Sequence, residues 1–324
     1  MKFGIVPREW GYFYNESIEQ CILAKKVGFD SIWIEEHHGN ELYLPSPITV
    51  LAGLSQHVRG MEVGTAIAVL PLYHPVRFAA DGAILDILSG GKFIAGVAAG
   101  YREHEFKIFG VDLKERAGRM NESLEIISRL WQGEQVNFNG RYFNVNNFRL
   151  EPQPVQKPRP PIWVGGWVEN AIERAAKWDL WFPGPVGSIT YVTQALEKYK
   201  IYLAKYGKKF EGFALMRETH VAENDEVAFK NIEEPIKHMY GEDYSKSEHP
   251  LLGNKGLPIQ EWAEDRFIVG SPSSVIEQVD RLKKLGVKHL VLRISLRKLT
   301  HQKIMDSIRL FGEKVIPYFK AGES

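Results

Sequence analysis

The chain has 324 residues, 44% of them hydrophobic and 25% charged, with a formal net charge of +1. This is an ordinary globular composition with enough apolar residues for a sizeable core, and the near-zero charge without a long basic run argues against a nucleic-acid footprint or an anionic-membrane binder. The single cysteine, Cys21, excludes a disulfide framework or a cysteine metal cluster within one chain and reads as a small core residue.

The chain opens directly on a strand-like run at 3–6, with no signal-peptide hydrophobic region. No apolar run reaches the ~18 residues a membrane span needs. A cytoplasmic, reduced setting is expected.

A helix follows at 16–27, from the spacing of Ile18, Ile22, Leu23 and Val27, and Gly28 ends it. The next strand, 31–36, runs into His37 and His38. A helix at 48–57 follows Pro45 and Pro47. The apolar run 61–69 stops at Leu70-Pro71, and a helix at 76–88 sits between Pro75 and Gly90-Gly91. Residues 92–98 form the fourth strand. A long helix ends at 124–131, and its front includes Arg116 and Arg119. Residues 136–138 and 142–145 read as a hairpin with Asn139-Gly140 as its turn.

Prolines between 152 and 161 mark an extended connector. The alternation then resumes with a strand at 162–164, Gly165-Gly166, a helix at 168–177, and a strand at 180–182. A helix at 188–206, a strand at Phe213–Val221 and a helix at 223–240 come next. Residues 241–262 are polar and irregular. A helix at 273–285, a strand at 289–294 and a helix at 300–319 complete the chain.

Eight strands, near residues 3, 32, 64, 95, 163, 181, 216 and 291, are each followed by helix. This pattern predicts an α/β fold, a single-domain (β/α)8 TIM barrel over 1–324, with insertions near 134–160 and 241–266.

Barrel enzymes build their sites where the strands run out. The candidates are therefore Glu36, His37 and His38; Ala66 to Ala68; Ala99, Gly100, Tyr101 and Arg102; Gly165, Gly166 and Trp167; Trp181; and Arg293. His37 suits a general acid/base because imidazole titrates near neutral pH; a hydrogen-bonded histidine in the barrel rim is the plainer reading. A metal at Glu36-His37-His38 is disfavoured, since adjacent strand residues point to opposite faces. Gly165-Gly166 before a helix has the form of a backbone phosphate site, or simply of a turn. Gly96 and Gly100 are four apart, so there is no dinucleotide fingerprint. Tyr101, Trp167 and Trp181 suit either a pocket wall or the core.

Several segments together resemble one family. They are Trp33-Ile34-Glu35-Glu36-His37-His38, Val63-Gly64-Thr65-Ala66 with Val69-Leu70-Pro71, and His74-Pro75-Val76-Arg77. Asp86-Ile87-Leu88-Ser89-Gly90-Gly91-Lys92-Phe93, Gly100-Tyr101-Arg102 with Glu105-Phe106, and Phe109-Gly110 continue the series. Leu130-Trp131, Gly140-Arg141-Tyr142-Phe143, Pro160-Pro161-Ile162-Trp163-Val164-Gly165-Gly166 and Val269-Gly270-Ser271-Pro272 complete it. In this order they resemble the luciferase-like monooxygenases, barrel flavoenzymes that include bacterial luciferase and deazaflavin-dependent relatives.

The resemblance implies a flavin at the C-terminal mouth of the barrel. It gives His37 the catalytic role, within the run that includes Glu36. It implies a cis peptide at Ala66–Ile67 beneath the flavin ring, with Gly100 and Tyr101 in a matching segment nearby. Gly165, Gly166 and Trp167 match the segment that helps hold the flavin phosphate, Arg116 matches a phosphate-binding arginine, and Trp181 is carried as an aromatic cofactor contact. Ala98 and Ala99 depart from luciferase, which has a cysteine and a phosphate-binding arginine there; bioluminescence is not expected.

The implied activity is monooxygenation of a small organic substrate with reduced FMN and O2. The flavin would be reduced by a separate reductase or in place by NAD(P)H. The alternative is hydride transfer with the deazaflavin coenzyme F-420, and a third reading is a non-catalytic flavin-binding protein. The family also implies a homodimer formed through the helices after the second and third strands.

Overall fold

The computed structural model describes residues 1–9, 14–39, 44–240 and 265–321. In chain order the first elements are β1 (Lys2–Val6), α1 (Tyr14–Lys26), β2 (Ser31–Ile34), α2 (Pro47–Ser55), β3 (Glu62–Thr65), β4 (Ala68–Val69) and α3 (Pro75–Leu88). Then come β5 (Phe93–Ala98), α4 (Glu103–Ile108), α5 (Arg116–Trp131), β6 (Val136–Asn139), β7 (Asn144–Phe148), β8 (Ile162–Val164), α6 (Glu169–Lys177) and β9 (Leu180–Trp181). The remainder is α7 (Ile189–Lys205), β10 (Phe213–Val221), α8 (Asp225–His238), β11 (Ile268–Gly270), α9 (Pro272–Leu285), β12 (Val287–Arg293), α10 (His301–Leu310) and α11 (Ile316–Lys320).

All eight expected strands are present. The expected insertion at 241–266 lies, apart from its last two residues, outside the described residues. Among the described residues no helix is long and apolar enough to cross a membrane.

The chain packs as two units, Met1–Trp33 with Val164–Ser324, and Ile34–Trp163. It passes from one to the other within β2 and within β8. In the first unit β2, β1, β12 and β10 run parallel in that order, with β11 beside the end of β10. The Phe182 N–H reaches Val164 O at 3.0 Å and the Met216 N–H reaches Pro183 O at 3.3 Å, which sets β9 between β8 and β10.

Alternation along β1 gives this sheet its two faces. Phe3 turns toward the helices, 5.3 Å from the Phe311 ring and 5.8 Å from Phe319. Gly4 faces the other way, where a Cβ would strike the Trp33 indole. On that face Trp33 Nε1 donates to Ser31 Oγ at 2.7 Å, and Ser31 Oγ lies 2.7 Å from His289 Nε2. Burial pushes His289 down to about 3, with the Lys2 charge adding to it, so the imidazole is neutral and accepts the Ser31 hydroxyl.

In the second unit β3 and β4 each pair in parallel with β5. The Ala66 N–H reaches Ile34 O at 2.7 Å and the Ala95 N–H reaches Pro161 O at 2.8 Å. The apolar run 61–69 is therefore two strands rather than one, broken around a cis peptide at Ala66–Ile67. Helices α3 and α5 are joined where Trp131 Nε1 donates to Ala79 O at 2.8 Å.

The hairpin forms, but its turn is longer than Asn-Gly. Asn139 pairs with Asn144 inside the ladder, leaving a four-residue connection, 140–143. The cause lies on α5: Glu122 accepts the N–H groups of Arg141, Tyr142 and Phe143 at 2.8, 3.0 and 3.0 Å. Two elements were not foreseen. Helix α4 is short and lacks an apolar period, and β11 has three residues. The last expected helix is interrupted by a π-turn at Phe311–Val315, ahead of Pro317, which has no N–H to continue the ladder.

Candidate functional site

Strand β2 ends at Ile34 and delivers Glu36, His37 and His38 in succession. Glu36 is 2% exposed, and its carboxylate is committed to three donors. Its Oε2 accepts the Val69 N–H at 2.8 Å, and its Oε1 accepts the Tyr73 hydroxyl at 2.8 Å and His38 Nε2 at 2.6 Å. That bond, first, raises the His38 pKa above its ordinary value, against the smaller opposing effect of burial. Burial and Glu36 together push the Tyr73 phenol up, so it stays a donor.

His37 turns to a different carboxylate. Its Nδ1 lies 2.9 Å from Glu105 Oε1, which also receives the His38 N–H at 3.2 Å. The His37 side chain keeps 14% of its surface exposed, whereas Glu105 is buried. Desolvation lowers the His37 pKa, with the Glu105 bond opposing it. Burial alone would raise the Glu105 carboxyl. Its bonds from His37 and His38, with Arg102 Nη1 at 3.8 Å, outweigh that and hold it low. The state consistent with both directions is a neutral imidazole beside an ionised Glu105. Because the two imidazole rings face different carboxylates, the rings do not converge on a common point.

The turn behind these groups is built from Gly100. Its φ is 74°, and a Cβ would strike Val69 and the Phe106 ring. Only glycine meets both demands. Tyr101 follows, its hydroxyl accepting from Arg102 Nε at 3.3 Å. Ala66 is buried and Ile67 half-buried. The structure thus brings Glu36, His37, Ala66, Ile67, Gly100 and Tyr101 into one neighbourhood of the second unit. Arg116 is not drawn into that hydrogen-bond network: at the start of α5 its Nη1 donates to Leu113 O at 2.8 Å.

The first unit holds the remaining candidates. Gly165 and Gly166 lead from β8 into α6. Gly166 has φ 131°, and a Cβ there would strike Ala171. Trp181 is fully buried, stacked on Phe213 at 5.4 Å, and its Nε1 donates to Gly166 O at 3.0 Å. It packs in the core and braces the turn. Trp167 stands edge-on to Trp181 at 5.8 Å, and its buried Nε1 has no hydrogen-bond partner among the described residues. Arg293, at the end of β12, pairs with Glu218, which also accepts the Tyr240 hydroxyl at 2.6 Å.

Sequence reasoning missed the role of Glu105 and the part of Tyr73. Glu105-Phe106 carried a signal only as a family-like segment; nothing in spacing paired Glu105 with a histidine 68 positions away.

Parallel strands ending in paired histidines and carboxylates define an α/β protein with acid–base capacity at its strand ends. Residues 12–289 match the model of the luciferase-like monooxygenase family, and the chain belongs to that family. It is 30% identical to the oxygenase component of the flavin-dependent trigonelline monooxygenase of Acinetobacter baylyi, over 66% of this chain and 61% of that protein. It is 25% identical to the F420-dependent glucose-6-phosphate dehydrogenase of Microbacterium testaceum, over 98% of this chain and 97% of that one. The crystal structure of monooxygenase RslO1 from Streptomyces bottropensis superposes with a TM-score of 0.85 at 22% identity, covering 98% of this chain and 100% of that one. The fold is accordingly of the (β/α)8 barrel class. The chain spans between 46% and 61% of the length of two curated relatives it matches at 30% identity or above.

Proposed function

We propose that this protein is a flavin-dependent monooxygenase that uses reduced FMN and O2 on a small organic substrate. The observation that carries the reading is the His37 imidazole at the end of β2, its Nδ1 2.9 Å from the buried Glu105 carboxylate. It is an acid–base group held in one pose, in the same neighbourhood as the cis Ala66–Ile67 bond.

The first unit offers a cradle that fits an anionic cofactor tail. The unpartnered Trp167 N–H stands beside a glycine turn that opens the nine-residue helix α6, and N–H groups at a helix start favour phosphate. Gly165, Gly166 and Trp167 are therefore proposed to hold the flavin phosphate, with Trp181 acting through the turn it braces. The family resemblance also makes Arg116, at the start of α5, a candidate phosphate-binding arginine. Ala66, Ile67, Gly100 and Tyr101 are proposed to contact the ring system.

When bound, reduced FMN supplies the electrons that activate O2. The chain's own groups do the rest. His37 takes or gives a proton at Nε2. Glu36, committed to Val69, Tyr73 and His38, is a positioning residue that keeps the end of β2 in place. Reduction by a separate flavin reductase is supported by the relative named as an oxygenase component; NAD(P)H would be the ultimate donor. A cytoplasmic setting fits the single, buried cysteine.

The second reading is hydride transfer with coenzyme F-420. The near full-length match to an F420-dependent dehydrogenase favours it, and His37 would serve there as well. Anaerobic titration with reduced FMN and with reduced F-420, followed by absorbance, separates the two. Binding of FMN with O2 uptake on aeration supports the first; F-420 binding without O2 uptake replaces it with the second. Tight flavin binding with neither activity leaves a flavin carrier.

A homodimer is proposed through α2 and α3. Ile84, Ile87 and Leu88 lie on one face of α3 and are 44%, 39% and 45% exposed, an apolar stripe suited to a second copy.

A further inference from the structure

A single carboxylate oxygen touches both histidines at the end of β2. Glu105 Oε1 lies 2.9 Å from His37 Nδ1 and 3.2 Å from the His38 backbone N. The glutamate is 1% exposed and stands on α4, directly before the buried Phe106. Phe106 packs where Gly100 turns the chain out of β5, so the turn that needs glycine also sets the place of Glu105.

An ionised carboxylate accepts hydrogen bonds and donates none. A hydrogen must therefore sit on His37 Nδ1, and the lone pair of the neutral ring falls on Nε2. The next histidine has the opposite arrangement. Glu36 already accepts from Val69 and Tyr73, so His38 must donate to it from Nε2. Two adjacent histidines thus donate through different ring nitrogens, His37 through Nδ1 and His38 through Nε2, to two buried glutamates.

We propose that Glu105 is a positioning residue that locks His37 in the Nδ1–H tautomer and makes Nε2 its working nitrogen. This assignment rests on the reading of His37 as the acid–base group. It carries a consequence for chemistry, because the partner of one ring nitrogen decides which nitrogen does the work. An unconstrained imidazole in water prefers the other tautomer, with hydrogen on Nε2. Without Glu105, His37 would present a donor where the reaction needs a base.

The test uses the full chain, labelled with 15N-histidine and free of flavin, and two-bond proton–nitrogen correlation spectra at pH 7.5. His37 is identified by the signals lost in His37→Gln. The expected spectrum shows a pyrrole-type Nδ1 and a pyridine-type Nε2 at His37. Glu105→Leu should exchange those two signals, whereas Glu105→Gln, whose Oε1 still accepts, should retain them. An Nε2–H or doubly protonated His37 in the unaltered chain would overturn the proposal, as would a Glu105→Leu spectrum unchanged at His37. The unaltered chain can still overturn the proposal if the leucine variant fails to fold. The readout needs no turnover. Full turnover in His37→Gln would instead overturn the acid–base reading, with the tautomer left standing.

Discussion

The Oε2 atom of Glu36 accepts the backbone N–H of Val69 at 2.8 Å, joining the end of β2 to β4 across 33 positions. With Tyr73 and His38 on its other oxygen, this carboxylate is the tie that holds the strand ends of the second unit together. Glu36→Ala strands a buried N–H and a half-buried hydroxyl, which costs ~1–3 kcal/mol. Urea unfolding followed by circular dichroism should show that loss. A change within error would mean the tie is dispensable.

Removal of His37 should act on chemistry rather than on folding. Loss of a general acid/base typically lowers the rate ~10²–10⁴-fold. In His37→Asn, whose side-chain amide can still donate to Glu105, turnover with reduced FMN should fall by that order, while the thermal midpoint changes little. Undiminished turnover would remove His37 from the reaction.

Gly100 carries two constraints at once, a φ of 74° and close approach to Val69 and Phe106. Gly100→Ala should therefore destabilise by at least ~1 kcal/mol and weaken flavin binding by displacing the turn before α4. Calorimetric melting and an FMN titration read the two effects separately.

His289 is buried and held neutral, with its pKa pushed from 6.5 to about 3. Below pH 6.5 the unfolded chain takes up a proton that the folded chain refuses. Stability from this residue is therefore full above 6.5 and declines as pH falls toward 3, by ~1.4 kcal/mol per unit. His38 has the opposite sign, since its raised pKa favours the folded state on the acid side. Comparing the unaltered chain with His289→Gln isolates the first contribution: the stability difference between them should shrink between pH 7 and pH 5. A constant difference would show that His289 titrates in the fold as it does in the unfolded chain.

The apolar stripe on α3 gives an assembly prediction. Ile84→Glu combined with Leu88→Glu should shift the scattering mass from twice 37.0 kDa to the single-chain value. A monomer in the unaltered protein would remove the dimer proposal.

Local pattern determined much of this protein. The strand-and-helix alternation, the glycine and proline stops, and the motif order were sufficient for all eight strands and for the barrel class, because each depends on residues close in sequence. The stretch 31–38 was legible as a strand carrying ionisable groups to its end. Which group each of those residues meets was not, because Val69, Tyr73 and Glu105 arrive from 33 to 68 positions away. Helix α4 was invisible because six residues with two apolar side chains have no period to read. From its strand-end position Trp181 suits either a pocket wall or the core, and packing against Phe213 and Tyr199 puts it in the core. Sequence determined that two histidines stand together at a strand end; tertiary structure alone decided that they answer to different carboxylates, because a histidine's ring state is set by the atom it touches and not by its neighbours in the chain.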